Sequence, residues 1–145
     1  MTKLCSFFLD EHCFGVPVEQ VQEILLPAPL TRVALAPAEV AGLINLRGQI
    51  VMTLELRRRL GLPERALGAS VQNLVVTSED GPVALLVDRA GDVLSVSDDD
   101  FESPPETLRG ELRRLLRGAY KLPGRLPLVL DLPRVTQVGG GGASG

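Results

Sequence analysis

Residues able to do chemistry are few in this chain, and their spacing limits what they could do. His12 is the only histidine. A serine or cysteine nucleophile ordinarily needs a neighbouring base, most often histidine, and His12 falls where a hairpin tip is expected. Cys5 and Cys13 flank Asp10-Glu11. With a two-residue turn there, Cys13 sits opposite Phe8 and Cys5 points to the other face, which disfavours a disulfide. No zinc ligand set of ordinary spacing results. Asp98-Asp99-Asp100 lacks the alternating acids and the later bidentate glutamate of a calcium loop, so it reads as solvated turn acids. The glycines from Gly139 to Gly142 lead into no helix and make no phosphate loop. The expectation is a non-enzymatic chain with no catalytic residue, metal or cofactor.

The arginines are a different matter. Arg57-Arg58-Arg59 follows a Leu-Glu-Leu segment, and Arg109, Arg113, Arg114 and Arg117 fall on the polar side of a predicted helix. These groups read first as solvated faces, then as a patch for an acidic protein partner. Nucleic acid ranks third: the formal net charge is −3, and no interleaved aromatics offer stacking platforms. Arg47 stands apart. It occupies a turn between Leu46 and Gly48, and its guanidinium suits paired hydrogen bonding to a carboxylate or to carbonyls.

The elements that must position these residues come from hydrophobic period and turn signals. Residues 4–9 and 13–16 read as a strand pair. Pro17 opens a short helix carrying Val18, Val21 and Leu25 on one face. Residues 31–35 read as a strand, 38–43 as one helical turn, 49–54 as a strand and 56–60 as a short helix. Residues 72–77, 83–88 and 92–96 are strand candidates, with Glu79-Asp80-Gly81 as a hairpin turn. Residues 106–117 carry Leu108, Leu112, Leu115 and Leu116 at helical period. Residues 119–122 and 126–130 read as strands, followed by a turn of helix near 132–135. Many short strands and few helices indicate small β-barrels. With aromatics at 3%, the core is expected to be aliphatic. No apolar run approaches the ~20 residues that cross a bilayer, and the start has no signal pattern, so a cytoplasmic protein is expected.

The chain also repeats itself. Gly42-Leu43-Ile44-Asn45-Leu46-Arg47-Gly48, followed by Leu54-Glu55-Leu56, is echoed by Gly118-Ala119-Tyr120-Lys121-Leu122-Pro123-Gly124, followed by Leu130-Asp131-Leu132. Residues 18–25 are echoed by residues 87–94. Two similar units in tandem are implied, in repeat-like segments 14–60 and 84–135 of a single domain over 1–138. Residues 139–145 form a flexible glycine-rich tail. Where the copies differ, folding alone is a weaker explanation: Arg47 stands where the second copy has Pro123.

Phe14-Gly15-Val16-Pro17-Val18, Val21-Gln22-Glu23-Ile24, the run from Gly42 to Val51, Leu86-Val87-Asp88 and Leu128-Val129-Leu130-Asp131-Leu132 together resemble the chemotaxis coupling proteins, the CheW-like family, over essentially residues 3–136. The Asn-Leu-Arg-Gly turn is the most specific piece. The resemblance implies two SH3-like five-stranded barrels packed around a shared apolar core. It also implies a non-catalytic adaptor coupling the cytoplasmic tip of methyl-accepting chemoreceptors to the regulatory domain of a histidine kinase. Other CheW-like proteins are further implied partners, at receptor clusters, without membrane insertion. The residues it assigns to receptor binding are Arg47, Val21, Gly42, Glu23, Asn45, Leu46 and Gly48, with the receptor hairpin in a groove between the barrels. It leaves the kinase-binding residues unassigned.

The chain departs from the family's Pro-Val-x-Asp-Leu stretch, reading Met52-Thr53-Leu54-Glu55-Leu56. Losing the proline restores an N–H and alters an edge or bulge, and glutamate for aspartate shifts a local backbone cap. Both changes lie near surfaces the family uses for the kinase, so the resemblance carries receptor binding further than kinase binding. Two other readings stay open: an accessory module that binds receptors but not the kinase, and a small nucleic-acid-binding barrel.

Overall fold

The computed structural model describes residues 1–138; the glycine-rich tail lies outside the described residues. The chain forms strands β1 (Thr2–Leu9), β2 (His12–Pro17), β3 (Val21–Leu25), β4 (Val40–Leu46), β5 (Gln49–Glu55), β6 (Gln72–Ser78), β7 (Gly81–Val87), β8 (Arg89–Val96), β9 (Phe101–Glu102), β10 (Leu116–Tyr120) and β11 (Leu128–Leu130). Short helices α1 (Leu56–Arg59), α2 (Gly110–Arg114) and α3 (Leu132–Thr136) complete it. One sheet runs β3-β6-β7-β5-β4 and the other β8-β1-β2-β11-β10-β9. Each makes an SH3-like barrel, the two-residue β9 being an addition to the second.

The two sheets share one strand order. In both, a parallel pair joins two antiparallel hairpins: β5 with β7 in the first, β11 with β2 in the second. The echo between residues 18–25 and 87–94 falls on β3 and β8, which take the same edge position in their sheets. The chain does not divide in half to achieve this. The first sheet is built from 21–87, the second from 2–17 together with 89–130.

Alternation along the strands sorts the apolar residues into three clusters. Phe7, Phe14, Leu54, Leu74, Leu85, Leu115 and Leu130 belong to the main core, which takes side chains from both sheets and from all three helices. Ile44, Val51, Val75 and Ala84 fill the first barrel. Leu4, Val96, Tyr120 and Val129 fill the second. Burial of these side chains, at roughly 25 cal/mol per Å², is the main force holding the sheets together. The core is not purely aliphatic: Phe7 and Phe14 stack at its centre, with ring centroids 5.6 Å apart and planes 13° from parallel. Register places Cys13 opposite Phe8, as the two-residue turn requires, and both cysteines are free.

Three helical expectations are corrected. Pro17 starts only a 3₁₀ turn over Val18–Gln20, after which the chain extends as β3. Val21, Glu23 and Leu25 are half-buried while Gln22 and Ile24 are exposed, the period-2 pattern of a strand. Residues 38–43 enter β4 rather than a helical turn. The helix expected over 106–117 is confined to Gly110–Arg114. Gly110 has φ +66°, outside the right-handed helical region, which blocks extension toward residue 106. Leu115 and Leu116 remain buried even though the chain has left the helix. Residues 31–35 form no strand beyond one bridge, from Thr31 to Leu43.

Thr53 in β5 is fully buried, and its hydroxyl has no hydrogen-bond partner. An unpaired buried hydroxyl loses its hydration without recompense. Thr53→Val keeps the shape and removes that cost, so it is expected to raise unfolding free energy by about 1 kcal/mol in urea denaturation. An unchanged or lower midpoint would show that the hydroxyl is satisfied.

Candidate functional site: the Arg47–Glu23 pair at the barrel rim

The β4–β5 connection is a two-residue hairpin. Leu46 faces Gln49, while Arg47 and Gly48 have φ +52° and +89°. Both central residues of such a type I′ turn need positive φ, a conformation natural to asparagine and glycine but costly for arginine. Asn45 helps to fix it by accepting the Gly48 N–H on Oδ1 at 2.8 Å. Leu46 anchors the turn from beneath, packing on Ile44, Val51, Val75 and Ala84.

The turn projects the Arg47 guanidinium outward; its side chain is 69% exposed. Nη1 donates to Glu23 Oε1 at 3.1 Å, and Nη2 forms an ion pair with Glu23 Oε2. Glu23 lies on β3 and Arg47 follows β4, and these are the two edge strands of the first sheet. The pair therefore joins the open edges of the barrel with a forked contact. The hydrogen bonds from Arg47, then its charge, hold the Glu23 carboxyl below the usual carboxylate range. Arg47 is largely exposed and Glu23 only half-buried, so the pair contributes little to stability. It does leave a fixed fork of donors at the rim.

Beside the hairpin, Ala28, Pro29, Thr31, Leu43, Ile44, Asn45 and Ile50 line a groove of about 410 Å³. Ile50 is exposed there. The structure thus brings Arg47, Glu23, Asn45, Leu46 and Gly48 together. Val21 lies two residues before Glu23 and packs its side chain against the main core. Gly42 serves a close backbone approach. Thr31 N–H donates to Leu43 O at 2.9 Å and Leu43 N–H returns to Thr31 O at 2.8 Å. A Cβ on Gly42 would lie 2.6 Å from that Thr31 oxygen. Gly42→Ala is expected to cost about 1–3 kcal/mol of stability in denaturant unfolding; a variant as stable as the natural chain would leave Gly42 free for a surface role alone.

Of the grouped arginines, Arg58, Arg109, Arg114 and Arg117 are exposed, as the solvated-face reading expects, whereas Arg57 and Arg59 are buried and correct it. Arg57 is only 5% exposed. Its five N–H groups are all used: Nε donates to Asp88 at 3.1 Å, Nη1 to Asp10 and to Pro63 O at 3.0 Å each, and Nη2 to Asp10 at 2.5 Å and Asp88 at 2.6 Å. Arg59 is buried as well, donating to the carbonyls of Arg134, Val135 and Gln137 around the end of α3. Burial lowers its pKa. Arg113 donates to Pro104 O and Pro105 O. Arg58 and Arg114 are exposed, paired with Glu64 and Glu111. Sequence reasoning missed the Asp10–Arg57–Asp88 set. One signal was present: the second copy has Pro133 where the first has Arg57.

The two departures from the family stretch are absorbed internally. β5 is an interior strand, and Met52 faces Leu43 on one side and Val83 on the other while packing against the main core. The site is therefore no sheet edge. Glu55 caps α1, accepting the Arg57 N–H at 3.3 Å, and also accepts from Arg65 at 2.5 Å. In the second copy Asp131 caps α3 through Arg134 N–H, one position further along.

With this geometry in place, comparison with known proteins is informative. The family model for the CheW-like domain matches residues 3–139. The chain is 32% identical over 135 residues to chemotaxis protein CheW of Rhizobium meliloti (strain 1021), covering 92% of this chain and 86% of that protein. It is 28% identical over 137 residues to chemotaxis protein CheW of Treponema pallidum (strain Nichols), covering 92% and 81%. The crystal structure of scaffolding protein TtCheW from Thermoanaerobacter tengcongensis shares the fold, with a TM-score of 0.86 over 96% of this chain and 94% of that one, at 24% identity. The chain belongs to the CheW-like domain family.

Proposed function

We propose that this chain is a non-catalytic signalling adaptor that couples methyl-accepting chemoreceptors to a chemotaxis histidine kinase. It works in the cytoplasm and is recruited to receptor clusters. The observation that carries this reading is the exposed Arg47 fork, held against Glu23 on a turn whose conformation arginine does not favour. A guanidinium kept there at a conformational cost serves recognition better than folding. The receptor's cytoplasmic hairpin tip docks at the rim of the first barrel, with Arg47, Glu23, Asn45, Leu46 and Gly48 as contact residues. Val21 and Gly42 support that rim from behind. The kinase's regulatory domain takes a separate surface.

The full coupling role is favoured over a receptor-only module because Met52 is partly buried against the main core and Glu55 is engaged by the Arg57 N–H and Arg65, so both changes are accommodated within the fold. The test is a pull-down with a receptor-tip fragment and a kinase regulatory domain, each offered separately. Retention of both supports coupling. Retention of the receptor fragment alone assigns the accessory role, and retention of neither overturns the reading.

A further inference from the structure

Leu35 stands out among the apolar residues for two reasons that compound each other. Its side chain is fully exposed, and its backbone has φ +64°. Ala36 N–H donates to Val33 O at 3.4 Å, closing a turn over 33–36 that places Leu35 third, where glycine or asparagine is the natural residue. A leucine there both strains the backbone and wets an apolar side chain. Outliers of this kind persist where something else requires them.

The position of the turn suggests what requires it. Thr31 pairs antiparallel with Leu43, so the chain beyond Thr31 runs back toward the Val40 end of β4. The turn carrying Leu35 therefore lies toward the Val40 end of β4, and Arg47 follows the other end. β4 has seven residues, roughly 23 Å at ~3.3 Å each. A helix of about 15 residues has the same length. Between the two ends lies the groove beside Thr31, Leu43 and Ile50. Arg32, next to the turn, is exposed and belongs to no ion pair among the described residues.

We infer that Leu35 is a specificity-determining anchor for the helical tip proposed to dock at Arg47. This rests on the coupling reading and extends it. The occupant is one amphipathic helix of a helical hairpin lying along the β4 edge. An apolar notch of that helix receives Leu35, and a carboxylate on its flank faces Arg32.

Calorimetry of a receptor-tip fragment against the natural chain, Leu35→Asn, Leu35→Met and Arg47→Asn tests it. Leu35→Asn suits the positive φ and removes the apolar side chain. It is expected to weaken binding by about tenfold or more with no fall in thermal midpoint. Leu35→Met is expected to stay within about twofold of the natural chain, since it restores apolar contact. If Leu35→Asn binds like the natural chain while Arg47→Asn does not, the anchor is refuted and the coupling reading stands. If the natural chain itself fails to bind, both fall. If Leu35→Asn alters only self-association in sedimentation, the turn contacts a second copy and the inference is overturned.

Discussion

Asp88→Ala is expected to lower unfolding free energy by about 3 kcal/mol at neutral pH. Asp88 lies between β7 and β8, where the chain passes from one sheet to the other. It accepts from Arg57 at 2.6 and 3.1 Å, from Arg65 at 3.2 Å and from the Asp10 N–H at 2.7 Å. Removing it leaves the buried Arg57 with only Asp10 and the Pro63 carbonyl, so part of a buried cation is stranded. Burial pushes the Asp88 carboxyl up, but the hydrogen bonds from Arg57, Asp10 N–H and Arg65 outweigh it and hold it below the ordinary range. A carboxyl depressed in the folded state stabilises above its unfolded pKa, near 3.9, and that contribution fades as pH falls through the folded value. The gap between natural and Asp88→Ala urea midpoints is therefore expected to be full at pH 7 and to shrink below about pH 4. A gap that does not vary with pH would mean that lost packing, not charge, explains the variant.

Arg47→Asn is expected to separate binding from folding. Asparagine accepts the positive φ of the first turn position more readily than arginine, so hairpin stability should hold or rise by up to about 1 kcal/mol. The exposed pair with Glu23 contributes little to offset this. Affinity for a receptor-tip fragment is expected to fall by about 1–3 kcal/mol, the size of a charge-assisted hydrogen bond at an interface. Thermal melting and calorimetry on the same preparation measure both. Equal losses in both would make Arg47 a structural brace of the barrel rim. Arg47→Ala is a less clean variant, because alanine at positive φ adds strain of its own.

What could be read from the residues depended on whether a feature was local. The Asp10-Glu11 turn, the facing of Cys13 and Phe8, β5 and the two short helices after Leu-acid-Leu segments all follow from a few adjacent residues, and the structure has them. The region after Pro17 misleads because Val18, Val21 and Leu25 fit a helical spacing, while Val21, Glu23 and Leu25 fit a strand equally well. Only the pairing of β3 with β6 decides between them. That choice mattered for the site, since it is the extended β3 that turns Glu23 toward Arg47. The turn arginine itself was visible from Asn45 and Gly48 around it and from Pro123 in the second copy. Its partner was not, because Glu23 is 24 residues away in sequence and meets Arg47 only when the barrel closes. Arg57 and Arg59 look like surface charge for the same reason: Asp10 is 47 residues from Arg57, and the α3 carbonyls are 75 or more from Arg59. Leu35 reads as the end of a strand over 31–35, since nothing in Val33-Ala34-Leu35-Ala36 announces a left-handed residue.

The interleaving of the sheets has a consequence for how the chain is made. β3 to β7 are contiguous, so their ladder can assemble as soon as residue 87 has left the ribosome. β2 must instead wait for β11, whose Leu128 pairs with Phe14. During synthesis, the β1–β2 ribbon carries Phe7 and Phe14 with one flank unclosed until the final strand arrives. A nascent chain halted near residue 120 should therefore hold one protected set of amides, in the first sheet, and a greasy ribbon that chaperones can bind.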